Sequence, residues 1–299
     1  MDKKIAIVTF RFLNFGTILQ SLGLQEALHK VGINNVEILD FPNESGPSGR
    51  RALIATLKEQ IGAYGLIKGL VRSIKEVVFV LCARVDASKD HTIERQKRES
   101  YYKEFESKYL RLSVPMSCSD LRNSEFIKSL PYNCYISGSD QVWNEKYTSC
   151  LDIFFLKYMP NSAVKMSYAG SFGRTYLEKD KEFIFTDYIK NIDPILVREY
   201  GAKKIADKIS GRESHIVPDP TLLHDREFWL RYQEEPEDFS HRDYILVYSL
   251  NRDLSIYKEA IRLGRKLNKK VVAIKRNFNP PYYKDVVWLY ALGPQHFIY

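Results

Sequence analysis

The sequence predicts an α/β protein with parallel sheets in two domains. Three observations lead there. Short β-rich runs such as IAIVTF and VVAIK alternate with longer segments whose apolar residues recur at helical spacing. The runs are almost wholly apolar, as strands covered on both faces are. One charged stretch nearly free of aliphatics, RYQEEPEDFSHRD at 231–243, separates a long first series from a short second one. The expected division is a first domain over 1–230, a linker over 231–243 and a second domain over 244–299.

Ile5–Phe10 reads as the first strand. A loop RFLNFG follows, then TILQSLGLQEALHKVG, with Gly32 placed as a helix stop, and VEILDF, which together make one βαβ unit. Residues 43–51 read as loop. Helices are expected over 52–83 and 90–110, with basic and aromatic residues interleaved, as a helical insertion of about 52–110 in the first domain. CYIS, FFLKYM, KMSYAGSF, PILVRE and HIVPDPTLL then resume the strand pattern, with helices over 178–192 and 200–210. After the linker come YILVYSL, a helix over 253–268, VVAIK, a loop NFNPPYY and VVWLYAL. Three strands and one long helix do not cover both faces of a parallel sheet, and the chain ends on Phe297-Ile298-Tyr299. The second domain is therefore expected to be incomplete.

Composition narrows the function classes. With 44% hydrophobic, 27% charged and 13% aromatic residues in 299, the chain has the material for a substantial core and not the composition of a disordered one. The formal charge is +8, and residues 44–115 hold 14 Lys/Arg against 9 Asp/Glu. No nucleic-acid recognition motif accompanies that surplus, so anionic small molecules, polyanionic glycans and a membrane surface fit it equally well. The basic amphipathic stretch 64–84 reads as a core-facing helix with a solvated basic edge. Cys82, Cys118, Cys134 and Cys150 form no C-x-x-C pair, and reduced thiols in a cytoplasmic protein are expected. The apolar run before Arg11 is too short for a signal-peptide core, and Val77–Ala83 is too short for a membrane span.

In open α/β sheets ligands bind beyond the carboxyl ends of the strands, so the loops that follow strands carry the search. RFLNFGT, 11–17, opens a helix with a glycine and an arginine nearby, which suits an anion or a hydroxyl-rich ligand, or simply a strand-to-helix turn. GSDQVWN, 138–144, combines Asp140, Gln141 and Asn144 as hydrogen-bonding groups with Trp143 as a stacking face. That set suits a sugar ring and suits equally an Asx turn with a half-buried tryptophan. SYAGSFG, 167–173, permits close backbone approach or a tight bend. Arg198 in LVREYG can fork onto phosphate or carboxylate, or pair with Glu199 or Asp219. There is no G-x-G-x-x-G, P-loop or G-x-S-x-G, and the six histidines lack metal-ligand spacing, so no nicotinamide cofactor and no metal is expected.

Taken in order, KIAIVTFRFLNFGTILQSLGLQEAL, YISGSDQVWN, KMSYAGSFG, ILVREYG, VPDPTLL with Trp229, YILVYSL and LGPQHF resemble the polysaccharide pyruvyl transferase family. The resemblance runs from residue 4 to the end, and GSDQVWN with the V-R-E and D-P-T pair are its most specific parts. It implies a GT-B-like fold of two Rossmann-like domains. It also implies transfer of a pyruvyl unit from phosphoenolpyruvate to a sugar of a cell-surface polysaccharide as a cyclic ketal, with release of phosphate and no cofactor. By that resemblance Arg198 binds the donor. Ser139, Asp140, Trp143 and Asn144 lie on the family's conspicuous loop, where the residue types themselves suggest acceptor contact with Asp140 as a base, and Asn14 and Gly16 of N-F-G match a family N-Y-G segment and line the same cleft. The implied partners are phosphoenolpyruvate and a glycan or lipid-linked oligosaccharide, with no nucleic acid. The implied place is the cytoplasm, with peripheral contact at the inner face of the membrane. Family members continue past G-P-x-x-F into a His-Gly motif that this sequence does not reach, and His296 within GPQHF does not replace it. A nucleotide-sugar glycosyltransferase of the same architecture and a non-catalytic glycan-binding remnant are the alternatives.

Overall fold

The structure is a computed structural model that describes residues 4–42, 92–237, 239, 242–249, 255–274 and 283–299. The expected helix over 52–83, the basic stretch 64–84 and most of the NFNPPYY loop lie outside the described residues. The chain divides into two compact units, residues 1–48 with 103–232 and residues 49–102 with 233–299. The expected helix over 90–110 is present as Thr92–Tyr109, and the division falls inside it.

The first unit is built on parallel strands. β1 (Ile5–Val8), β2 (Val36–Ile38), β3 (Cys134–Ser137) and β4 (Val164–Ser167) form a sheet in the order β2-β1-β3-β4, with Ile5 opposite Val36 and Cys134, and Ser137 opposite Val8 and Ser167. β1 is buried at all four positions, as its unbroken apolar run requires of a strand covered on both faces. β5 (Leu196–Val197) and β6 (His215–Ile216) form a second parallel pair. Beyond β4 the ladder continues onto β5 through Gly170, whose N–H donates to Leu196 O and whose carbonyl accepts from Arg198 N, both at 3.2 Å.

The helix Phe15–Lys30 begins where Asn14 accepts a hydrogen bond from Gly16 N at 3.0 Å. Its first eleven residues are buried except Gly16, because the short 3-10 turn Pro220–Leu223 packs on it. Gly23 makes that approach possible: a Cβ there would lie 2.8 Å from Pro220 O. His224 Nε2 adds a 2.8 Å contact to Gly23 O.

One expected strand is replaced. FFLKYM contributes to the helical turn Leu151–Phe154 and the turns after it, and Ile153, Phe154, Phe155 and Leu156 are all fully buried. A run apolar on every side has no periodicity to tell a buried strand from a buried helix. The other helices fall at Lys179–Ile189, Tyr200–Ser210 and Ser255–Leu267, close to the expected 178–192, 200–210 and 253–268.

In the second unit β7 (Tyr244–Val247), β8 (Lys270–Ile274) and β9 (Val286–Leu289) are parallel in that order. The helix Ser255–Leu267 buries Tyr257, Ala260 and Gly264, a stripe at helical spacing, and Tyr257 and Ala260 pack with Val247, Val271, Ala273 and Val286. His296 serves the last helix, Pro294–Ile298, by accepting from Gly293 N at 3.0 Å, which is a capping role. Among the described residues no helix is long and apolar enough to cross a membrane.

The packing at Gly23 makes a test whose sign is informative. In an exposed helix Gly→Ala gains roughly 1 kcal/mol, whereas overpacking costs roughly 1–3 kcal/mol. Because the added methyl meets backbone rather than a movable side chain, Gly23→Ala is expected to lower stability by about 1 kcal/mol net, measured by equilibrium urea unfolding.

Candidate active site

The strand order turns between β1 and β3, with β2 on one side and β4 on the other, and in open α/β sheets ligands bind beyond the carboxyl ends of the strands at such a turn. The loops after β1, β3, β4, β5 and β6 meet there through side chains far apart in sequence. Asp219 is the point of convergence. Its Oδ1 accepts from Thr221 N at 3.1 Å and Thr221 Oγ1 at 2.8 Å. Its Oδ2 lies 3.0 Å from Ser139 Oγ and 3.3 Å from Arg198 Nη1.

Ser139 is held from a second direction. Its N–H donates to Gln20 Oε1 at 3.1 Å, and its carbonyl accepts from Thr9 Oγ1 at 3.1 Å. Gln20 Nε2 donates in turn to Thr9 Oγ1 at 2.8 Å. All three side chains are buried, so the amide of Gln20 pairs one loop to the next in a place where an unpaired polar group would be costly.

Asp140 is aimed by the backbone beside it. Gly138 has φ +111°, and a Cβ there would lie 2.4 Å from Tyr168 O, so only glycine lets the two loops come this close. Asp140 itself takes φ 75°, a left-handed conformation that aspartate tolerates better than most residues. Its Oδ1 accepts from Gln141 N at 2.7 Å and lies 3.7 Å from Arg198 Nη1. Oδ2 has no hydrogen-bond partner among the described residues. Burial raises the Asp140 pKa, and the charge of Asp219 raises it further; the Gln141 N–H and the Arg198 cation pull the other way without cancelling this.

Arg198 sits among three carboxylates. Besides Asp140 and Asp219, its Nε donates to Glu199 Oε2 at 3.3 Å, and Ser171 Oγ holds the other oxygen of Glu199 at 2.6 Å. Burial disfavours the cation, but Asp140, Glu199 and Asp219 together raise its pKa, so it stays charged. Of the two readings of Arg198, the structure shows the pairing with Glu199 and Asp219, and adds Asp140. The hydrogen bonds from the described residues use Nε and Nη1 and leave Nη2 uncommitted.

The structure thus brings Ser139, Asp140 and Arg198 together. Trp143 is a correction. Its ring is fully buried, stacked on Phe155 at 5.0 Å and 11°, with Phe172 also at 5.0 Å. A Cβ at residue 170 would lie 2.9 Å from it, so the indole fills the space that Gly170 leaves and presents no face to a sugar. Asn144 is buried as well, and its amide pairs with Gln141 Oε1 at 2.8 Å and Arg174 Nη2 at 3.3 Å, which ties the loop rather than contacts a ligand. Asn14 is occupied as the helix cap, with Gly16 exposed beside it, and no hydrogen bond among the described residues joins either to Asp140 or Arg198. Arg11, read as an aid to anion binding, instead pairs with Asp40 at 2.9 Å and Glu106 at 3.4 Å. No group of three or more His, Cys, Asp or Glu among the described residues is placed to hold a metal ion.

Gln20 and Thr9 lie outside the loops that the sequence singles out, whereas Ser171 lies in one of them, SYAGSFG. The signal for Gln20 was a polar residue inside an apolar helical face, where a buried amide needs a partner.

The family model for polysaccharide pyruvyl transferases matches residues 14–297, nearly the whole chain, and spans Ser139, Asp140, Arg198 and Asp219. The protein belongs to the polysaccharide pyruvyl transferase family. Comparison with curated proteins gives no match. A polysaccharide pyruvyl transferase acts on a polysaccharide acceptor.

Two measurements check this geometry. The Asp140 carboxyl is expected to titrate above the usual carboxylate range by NMR, lower in Asp219→Asn, which removes a like charge, and higher still in Arg198→Met, which removes a cation. Because the folded value lies above the unfolded one, Asp140 makes the fold less stable as pH rises from the unfolded pKa through the folded one. Trp143→Ala is expected to cost about 3–5 kcal/mol in urea unfolding, the range for a buried large aromatic. A loss below about 1 kcal/mol would mean an exposed ring.

Proposed function

We propose that this polysaccharide pyruvyl transferase moves a pyruvyl unit from phosphoenolpyruvate onto two hydroxyls of one sugar, forming a cyclic ketal and releasing phosphate. The observation that carries the reading is the Asp140 carboxyl, half-buried, with Oδ2 uncommitted, beside a charged arginine at the turn in strand order. In this reading the two parallel-sheet units belong to a GT-B-type enzyme.

The chemistry needs a proton delivered to the methylene carbon of the donor and protons removed from two hydroxyls. Protonated Asp140 gives its proton to that carbon, and C2 becomes an electrophile. The first hydroxyl attacks C2 and returns a proton to the Asp140 carboxylate, restoring its starting state. The second hydroxyl then takes the place of phosphate at C2, and its proton leaves with the phosphate. Arg198 offers Nη2 to the donor's carboxylate or phosphate. Three carboxylates around one guanidinium would repel an anionic donor if all were ionised, and a proton on Asp140 reduces that repulsion. Ser139, Thr9, Gln20 and Asp219 act as positioning residues. No cofactor takes part. The acceptor, a glycan or a lipid-linked oligosaccharide, would bring the enzyme to the cytoplasmic face of the membrane.

The test is phosphate release from phosphoenolpyruvate that depends on an added acceptor. Asp140→Asn is expected to lower kcat by about 10²–10⁴-fold. Arg198→Lys is expected to raise the KM for phosphoenolpyruvate. Because Asp140 must start protonated, wild-type kcat/KM falls as pH rises through its raised pKa, and Asp140→Asn loses that limb. A melting temperature raised by a nucleoside diphosphate and not by phosphoenolpyruvate would favour a nucleotide-sugar enzyme instead.

A further inference from the structure

The described cysteines carry thiols rather than disulfides, yet two of them meet. Cys118 Sγ and Cys150 Sγ lie 2.9 Å apart, both buried, on segments 32 residues apart in the chain. A disulfide bond is about 2.05 Å long, so roughly 0.9 Å of approach separates the pair from bonding. Their backbones are already registered. Arg122 and Asp152, each close to one cysteine in sequence, form a two-pronged ion pair at 2.8 and 3.1 Å between the same two segments. The guanidinium also interacts electrostatically with both sulfurs. On one side Ser117 and Asp120 fix the turn around Cys118, through a 2.8 Å bond from Ser117 N to Asp120 Oδ2. On the other, Cys150 begins the turn Leu151–Phe154, with its N–H held by Thr148 Oγ1 at 2.9 Å.

We infer that Cys118 and Cys150 are an oxidisable pair that closes into a disulfide when the protein meets a small peroxide. One thiolate attacks hydrogen peroxide, the O–O bond breaks, and hydroxide leaves with a sulfenic acid formed on sulfur. The second thiolate attacks that sulfur, the S–O bond breaks and a second hydroxide leaves, and the two protons given up by the thiols convert both hydroxides to water. Two thiols and one peroxide yield one disulfide and two waters. Proximity of the second sulfur makes the resolving step faster than further oxidation of the first. The new bond ties the 117–122 segment to the start of the turn whose Phe154 O accepts the indole N–H of Trp143 at 3.4 Å. It therefore braces the aromatic bed under the Asp140 loop from behind.

The test uses the full chain, treated with hydrogen peroxide after removal of reductant, then alkylated in denaturant and mapped by peptide mass spectrometry. The expected result is one joined peptide pair containing Cys118 and Cys150, lighter by two hydrogens, with Cys82 and Cys134 alkylated and the link reversed by dithiothreitol. The oxidised protein is expected to melt several degrees higher, as a crosslink closing a loop of this length does. Cys118→Ser under the same treatment forms no such pair. Cys118 and Cys150 both alkylated after treatment, either one driven to sulfinic acid, or a link to Cys82 or Cys134 would overturn the inference. A correct link with an unchanged melting temperature would overturn its bracing role.

Discussion

Four donors converge on the carboxylate of Asp219, and through them three strand ends are held in one arrangement. Thr221 fixes the turn after β6, Ser139 brings in the loop after β3, and Arg198 brings in the end of β5. A partly buried carboxylate is held in place by such partners, because they make up for the water it has lost. The dependence also runs the other way. Ser139 and Arg198 would each lose their orientation without that acceptor, and Asp140, which stands between them, would lose the like charge that adds to the effect of burial on its pKa.

Two layers of packing make the convergence possible. From one side, the turn carrying Asp219 rests on the helix Phe15–Lys30, where Gly23 lets backbone meet backbone. From the other, Trp143, Phe155 and Phe172 form a rigid aromatic bed beneath the loop that presents Asp140. The polar network and the aromatic bed share residues 138–144, so one short loop joins core stability to site geometry. The tryptophan that looks most like a ligand contact is the residue that holds the loop down.

Much of this was legible in the chain. Alternating apolar runs foretold parallel strands, Gly32 foretold a helix stop, and the order of GSDQVWN, VRE and DPT pointed to the family that the comparison then matched. The position of Asp140 after a strand pointed to a site. What could not be read was which polar residues face the site. Asn144 and Trp143 share a loop with Asp140 and turn inward, while Gln20, in mid-helix, reaches across to a peptide N–H 119 residues away.

The sequence by itself determined the parallel α/β class, the family and the loops worth examining, because periodicity, turn residues and motif order are local properties. The tertiary structure alone decided that Arg198 sits among three carboxylates, that Asp219 joins three strand ends and that Cys118 meets Cys150. Each of those depends on where a sheet places residues far apart in the chain. Burial and Coulomb interactions act through space, so the charge state of Asp140 exists only once β3, β5 and β6 have brought its neighbours together.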